Sequence, residues 1–258
     1  MIDIRIAFFD IDGTLLPIGE KNGFSPLLTR ALQKLQQQGV ALFAASGRPP
    51  FFIPCPDGIV WDGMMCFNGS YCLDHGKPVF SSPIPRKTVE RVIANASQMG
   101  LPVNIETAAC MGANFDHPLL DAFLGDAKRY MRNDLFESLL DSEIIQLMVP
   151  VNAEQEQALF AGVTGLKADR WCEFATDVVP IGSSKAEGMR RILEARGLSR
   201  EQSIAFGDGG NDRSMIAYSG LGVAMANATD TVKAAADYVT GTCQEDGVVT
   251  ALQHFKLI

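Results

Sequence analysis

Residues 4–9 read Ile-Arg-Ile-Ala-Phe-Phe, an almost uninterrupted apolar run that stops on Asp10. A run so short, with so little polar alternation, suits a strand covered on both faces, and therefore a parallel sheet flanked by helices. After a loop, Ser25 can cap a helix with Pro26 at its first position. Leu28, Leu32 and Leu35 lie on one face of that helix and Gly39 closes it. A second apolar strand, Val40 to Ala45, follows at once. Strand, helix, strand in this order is the βαβ unit, whose crossover is nearly always right-handed.

The same alternation returns late in the chain. A helix is expected from Lys185 to Arg196 with Gly197 as its stop, then a strand Ser203 to Phe206, a helix after Asp212 and a strand Leu221 to Ala224. The two ends thus read as one doubly wound α/β sheet. Between them the pattern changes: a helix near Thr88 to Met99, a strand near Val103 to Thr107, a strand Ile144 to Pro150 and a helix near Glu154 to Ala161. That is enough for a smaller α/β domain inserted into the first. Pro83 and Pro85 mark one edge of it, and Pro180 and Gly182 the other. The expected division is 1–81, 82–181 and 182–258, the outer two pieces forming one domain. The 258 residues, 47% of them apolar, are sufficient for two unequal cores.

Charge excludes some partners. A net charge of -8 and a pI near 4.9 would repel a polyanion, and no Lys/Arg-rich run is present to track a phosphate backbone, so nucleic acid is not expected. Asp3, Arg5, Asp10 and Asp12 interrupt the first apolar stretch and no small-residue cleavage site follows, so a signal peptide is not expected. No segment approaches the roughly 20 apolar residues of a membrane span, and a cytoplasmic location is the expectation. Cys55, Cys66, Cys72, Cys110, Cys172 and Cys243 include no Cys-x-x-Cys pair and read as reduced core residues.

Four short segments end a predicted strand or open a predicted helix, which is where ligands bind in open α/β sheets. The first is Asp10-Ile11-Asp12-Gly13-Thr14, with two carboxylates spaced so that one can point at a substrate and the other can sit beside it. A calcium loop would need a third oxygen ligand where Gly13 stands, and would follow a helix instead of a buried strand. In the second, Ala45-Ser46-Gly47-Arg48, a hydroxyl and a backbone amide could hold a phosphoryl oxygen, although small residues after a strand are usually just a turn. The third is Lys185, behind Gly182, Ser183 and Ser184; a lysine opening a helix is ordinarily solvated. The fourth, Gly207-Asp208-Gly209-Gly210-Asn211-Asp212, fails the dinucleotide fingerprint because Asp212 occupies the third glycine's place. No Gly-x-x-x-x-Gly-Lys-Ser/Thr loop and no Gly-x-Ser-x-Gly elbow occurs.

In this order the four segments resemble the motifs of the haloacid dehalogenase-like phosphatases: Asp-x-Asp-Gly-Thr, Ser/Thr, Lys, then Gly-Asp-x-x-Asn-Asp. Phe67-Asn68-Gly69, Ala224-Met225-Ala226-Asn227-Ala228 and Asp246-Gly247-Val248 are similar to the Cof-type subgroup, which carries a large α/β cap between the second and third motifs. The resemblance implies a Mg2+-dependent phosphatase acting on a small phosphorylated metabolite, most commonly a sugar phosphate. Asp10 would be the nucleophile that forms an aspartyl-phosphate, and Asp12 the proton donor and later the base. Mg2+ would be held by Asp10, Asp208 and the Asp12 backbone carbonyl, with Asp212 as a ligand or just behind the ligands. Ser46, Gly47, Lys185 and Asn211 would hold the phosphoryl oxygens, an electrostatic clamp of the kind that phosphoryl transfer needs. Asn68 could face the cap or simply make a turn before Gly69.

Two alternatives use similar residues. A phosphomutase or phosphotransferase would hand the same aspartyl-phosphate to a second alcohol. A phospho-accepting signalling module also combines acids, a Ser/Thr, a Lys and Mg2+ on a parallel sheet, but here the nucleophile ends the first strand and has Asp12 two residues on. One departure from the subgroup stands out: Pro49, Pro50, Pro54 and Pro56 preclude the helix that commonly follows the second motif, so the entrance on that side is expected to be reshaped.

Overall fold

The apolar run near the start of the chain becomes the strand Ile6–Phe9, all four residues buried. The computed structural model describes residues 3–18 and 23–258, apart from the side chains of Asp126, Trp171 and Cys172. Ile6–Phe9 pairs in parallel with Ala41–Ala45 on one side and Ser203–Gly207 on the other. From edge to edge the sheet runs Tyr238–Val239, Leu221–Ala224, Ser203–Gly207, Ile6–Phe9, Ala41–Ala45, Gly63–Cys66, Tyr71–Asp74, Lys77–Ser81. The first six strands are parallel, and Tyr71–Asp74 returns antiparallel along Gly63–Cys66.

Both faces are covered, which is why the central strands show no polar alternation. Ala7 and Phe9 face a core that includes Leu28, Leu32 and Leu35 of the helix Pro26–Gln37 and Leu252 of the helix Gly247–His254. Ile6 and Phe8 face the other core, with Phe43 and with Met189 and Ile192 of the helix Lys185–Arg196. Phe9 stacks on Phe206 with ring centroids 5.0 Å apart. The expected cap and stop are present: the Ser25 hydroxyl accepts from the Leu28 amide, and Gly197 takes the left-handed conformation that ends its helix; the Ser184 hydroxyl, accepting from the Glu187 amide, caps that helix as well.

Contacts divide the chain into two units. One comprises the described residues of Met1–Arg48, Ile53–Phe80 and Ser184–Ile258, the other Pro49–Phe52 and Ser81–Ser183. The proline-rich segment forms a single 3-10 turn, Pro50–Phe52, and groups with the second unit because Phe51 and Phe52 pack on Tyr130 at 5.1 and 5.8 Å. That grouping was not legible in the expected boundaries at 82 and 181.

The second unit is a five-stranded antiparallel sheet in the order Met111–Ala113, Asn104–Glu106, Gln146–Val149, Ala175–Pro180, Leu166–Cys172. The helix Arg86–Gln98 packs Val89, Val92 and Ala96 against Ile105, Leu147, Val149 and Val178. The expected helix from Glu154 to Ala161 is corrected to a 3-10 turn, Ala153–Gln155, running into one α-turn, Glu156–Leu159. Asn152 caps the turn, exchanging side-chain and backbone hydrogen bonds with Gln155, and Gly162 at φ +69° ends the helical stretch. Of the cysteines, Cys66 and Cys72 are buried as expected, whereas Cys55 is exposed; Cys172 lies outside the described side chains. No helix among the described residues is long and apolar enough to cross a membrane.

Candidate active site

The register of the central strands levels their carboxyl ends. Phe9 lies opposite Phe206 on one neighbour and Ala44 on the other, so Asp10, Asp208 and Ser46 emerge at the same edge of the sheet. Asp10, Asp208 and Asp212 are all buried, and each offers a carboxylate oxygen within 4.8 Å of the others.

Lys185 enters this acidic group from the opening of its helix. It is wholly buried, contrary to the ordinary fate of a lysine at that position, and its Nζ donates to Asp10 Oδ1 at 2.6 Å and Asp212 Oδ1 at 2.5 Å. The backbone packs closely where this helix opens. Gly69, at φ +91°, lies so near Ser184 that a Cβ would sit 2.1 Å from the Ser184 carbonyl oxygen. Burial works against the lysine's charge, but Asp10 and Asp212 more than compensate and hold its pKa above the ordinary value.

The loop after Ser203–Gly207 is tied by Asp212, whose Oδ2 accepts from the backbone amides of Asp208 and Gly209 at 3.0 and 2.9 Å. The Asp208 carboxylate accepts from the Thr14 hydroxyl at 3.2 Å and from Asn227 Nδ2 at 3.1 Å; the same Asn227 nitrogen donates to the Gly13 carbonyl at 2.8 Å. Gly13 is required here: at φ +85° a Cβ would fall 2.2 Å from Asp208 Oδ2. Burial first, then Asp212, pushes the Asp10 carboxyl well above the usual aspartate range, with Lys185 pulling the other way. The same two causes raise Asp208 to about 6 against the hydrogen bonds of Thr14 and Asn227. Three carboxylates facing one ammonium form an all-oxygen donor set short of positive charge. It fits a hard divalent cation such as Mg2+.

The Ser46 hydroxyl is buried and accepts from the Arg48 amide at 3.2 Å. Arg48 reaches back to Asp12, donating from Nε to Oδ2 and from Nη2 to Oδ1. The Asn68 amide donates to the Ser46 carbonyl at 3.1 Å, its side-chain Oδ1 accepts from Asn211 Nδ2 at 3.0 Å, and its side-chain amide stands about where a Cβ on Gly47 would touch it, at 3.1 Å. Asp12 and Asn211 are less enclosed than the carboxylates of the cluster.

Asp10, Lys185, Asp208 and Asp212 are therefore in direct contact or nearly so, and Asn68 links the Ser46-Gly47 turn to Asn211. Thr14, Arg48 and Asn227 join this constellation although no role was assigned to them from sequence, and so does Asn68, for which the sequence offered a place facing the cap or a simple turn. All four lie in or beside the motif segments, but what they bond is set by residues far away in the chain.

A family profile described as haloacid dehalogenase-like hydrolase matches residues 7–252. YkrA of Bacillus subtilis (strain 168) is 35% identical over 262 residues, which cover 100% of both chains. Among solved structures, BT1666 from Bacteroides thetaiotaomicron, described among the phosphatases of the haloalkanoate superfamily, is similar with a TM-score of 0.87 and 30% identity, over 99% of this chain and 96% of that one. BT4131, described as a subclass IIB sugar phosphatase, has a TM-score of 0.86 at 30% identity, over 98% of this chain and 100% of that one.

Proposed function

The chain belongs to the haloacid dehalogenase-like hydrolase family, and from that premise we propose that it is a Mg2+-dependent phosphatase that releases phosphate from a small phosphorylated metabolite, first of all a sugar phosphate. The observation that carries this reading is the convergence of Asp10, Asp208 and Asp212 on the buried Lys185 at the carboxyl edge of a parallel sheet. Similarity to a sugar phosphatase supports the substrate class.

In this reading Asp10, Asp208 and the Asp12 carbonyl would hold the cation, while Asp212, with both oxygens engaged by the protein, would stand behind them and fix Lys185 and the Asp208 loop. When bound, Mg2+ supplies charge neutralisation that lets a phosphate dianion approach a carboxylate. Asp10 attacks phosphorus and the ester P–O bond breaks, leaving an acyl phosphate on Asp10; Asp12 gives its proton to the departing alkoxide. Asp12 then takes a proton from water, the water oxygen attacks phosphorus, and phosphate leaves with Asp10 restored. Lys185, Ser46, the Gly47 amide and Asn211 hold the non-bridging oxygens. The second unit, residues 82–181 in the expected boundaries, serves as the cap that selects the leaving group and excludes water.

A panel of phosphorylated metabolites, assayed with Mg2+ and after exhaustive chelation, tests the proposal. Free phosphate released only with the cation is the expected result. An isomeric phosphoester in its place would indicate a mutase, and a stable phosphoprotein without turnover a signalling module.

A further inference from the structure

Asn227 stands three residues beyond the strand Leu221–Ala224. That strand borders Ser203–Gly207, which in turn borders Ile6–Phe9. The loop of Asp208 therefore leaves the sheet between the loop of Asn227 and the loop of Gly13, and Asn227 spans both. Its Nδ2 donates one hydrogen to the Gly13 carbonyl at 2.8 Å and the other to Asp208 Oδ2 at 3.1 Å.

The partners fix which way round this amide lies. A backbone carbonyl and an ionised carboxylate only accept, so both amide hydrogens must face them. On the far side the Cys243 backbone amide, which only donates, meets Asn227 Oδ1 at 3.1 Å. Asn227 is exposed, so water could satisfy its amide; instead the protein holds it on three sides.

What these bonds fix is a spacing. The Gly13 amide donates to the Leu16 carbonyl at 2.6 Å, and the chain has no cis peptide. The Asp12 carbonyl lies anti to that amide across the same peptide, so it points away from Leu16. With its own carbonyl held by Asn227, Gly13 is fixed at both polar groups. Asn227 thus ties the backbone that presents the Asp12 carbonyl to the carboxylate of Asp208.

Hard cations differ in how much such a spacing matters. Mg2+ is small and demands a near-regular octahedron of short bonds, whereas Ca2+ accepts longer bonds in variable number and geometry. We propose that Asn227 is a positioning residue that sets the ion preference of this site: by holding the Asp12 carbonyl and Asp208 at a fixed separation, it favours Mg2+ over Ca2+. The inference rests on the cation site proposed above and names a residue outside the ligand set that decides which ion the site takes.

Calorimetric titration of Mg2+ and of Ca2+ into the chelator-treated full chain tests it without recourse to turnover. Asn227→Leu keeps the size and removes both donors. It should lower the ratio of the Ca2+ Kd to the Mg2+ Kd by about tenfold, with most of the loss on Mg2+. Cys243→Pro leaves Asn227 in place and removes the amide that holds its Oδ1. The backbone suits that change: Thr242, at φ -71° and ψ 164°, is already extended, and Cys243 opens a 3-10 turn, where proline needs no amide. This variant should move the ratio the same way by a smaller factor. Thermal unfolding in chelator is measured alongside, and Cys243→Pro carries the comparison if Asn227→Leu does not fold. An unchanged ratio in the folded variants, or equal weakening of both ions, overturns the proposal, because general loosening does not single out one ion. Asp208→Asn should abolish binding of both ions. A wild type that binds no Mg2+, or an Asp208→Asn chain that binds it as the wild type does, overturns the cation site itself and the proposal with it.

Discussion

Arg48 closes on the Asp12 carboxylate with two parallel hydrogen bonds, Nε to Oδ2 at 2.9 Å and Nη2 to Oδ1 at 2.6 Å. The pair is partly solvated, with side-chain exposures of 25% and 38%, so in the proposed mechanism Asp12 could release Arg48 at modest cost. Its geometric effect is to aim the carboxylate. Arg48→Lys keeps the charge and loses the fork, and should lower kcat by about tenfold on alkyl phosphates and less on aryl phosphates, whose leaving group needs the donor least. An equal loss on both would show Arg48 acting on the phosphoryl group instead.

Asp10 and Asp12 should separate under rapid-quench labelling with radioactive substrate. Asp10→Asn removes the proposed nucleophile, so loss of activity should be nearly independent of leaving group and no label should attach. Asp12→Asn should slow turnover by about 10²–10⁴ and accumulate phosphoenzyme, because water attack is then unassisted. Label on the Asp10 variant but not the Asp12 variant would reverse the assignment.

Lys185→Met leaves Asp10 and Asp212 facing one another without their shared cation. Removing one partner of a buried ion pair costs about 3–5 kcal/mol. Urea denaturation in chelator should show a loss of this size, and Mg2+ should restore part of it by supplying positive charge to the same carboxylates. Equal losses with and without Mg2+ would mean that the cation binds elsewhere.

Glu106 gives stability a defined slope against pH. In the folded chain burial keeps its proton on up to about 7, while unfolded it ionises near the ordinary glutamate value of 4.5. The folded state binds more protons between these values, so this contribution is complete below about pH 4 and is lost as pH rises through 7. At pH 8 the loss is on the order of 3 kcal/mol. Glu106→Gln should flatten this part of the profile relative to the wild type in denaturation at pH 5 and pH 8.

Phe67, Asn68 and Gly69 all have positive φ, at 51°, 53° and 91°. Such a run is costly for side chains and persists where the surroundings demand it. Asn68→Gly retains the backbone freedom but removes the amide that holds Asn211, so KM should rise while the melting temperature changes little. Asn68→Val adds a β-branched side chain to a left-handed position and should lower the melting temperature as well.

Much of the first unit was readable from local pattern alone. Ile6–Phe9 announces a strand buried on both faces, Ser25-Pro26 starts a helix and Gly197 ends one, because strand burial, caps and stops are encoded by neighbours in sequence. Three of the four motif segments were legible for the same reason: each follows a strand whose apolar run breaks off at a polar residue. Partnership across the chain was not. Lys185 reads as a surface lysine until packing brings it to Asp10, 175 residues away, and Arg48 gains its role only when the strand ends level it with Asp12. Asn104, Glu106 and Gln146 alternate with core residues just as solvent-facing residues do, and Pro49–Phe52 shows nothing in sequence of its grouping with a distant unit. Local sequence sets which conformation a segment prefers; which polar groups lose water, and which partners then meet them, is decided only when separate segments pack together.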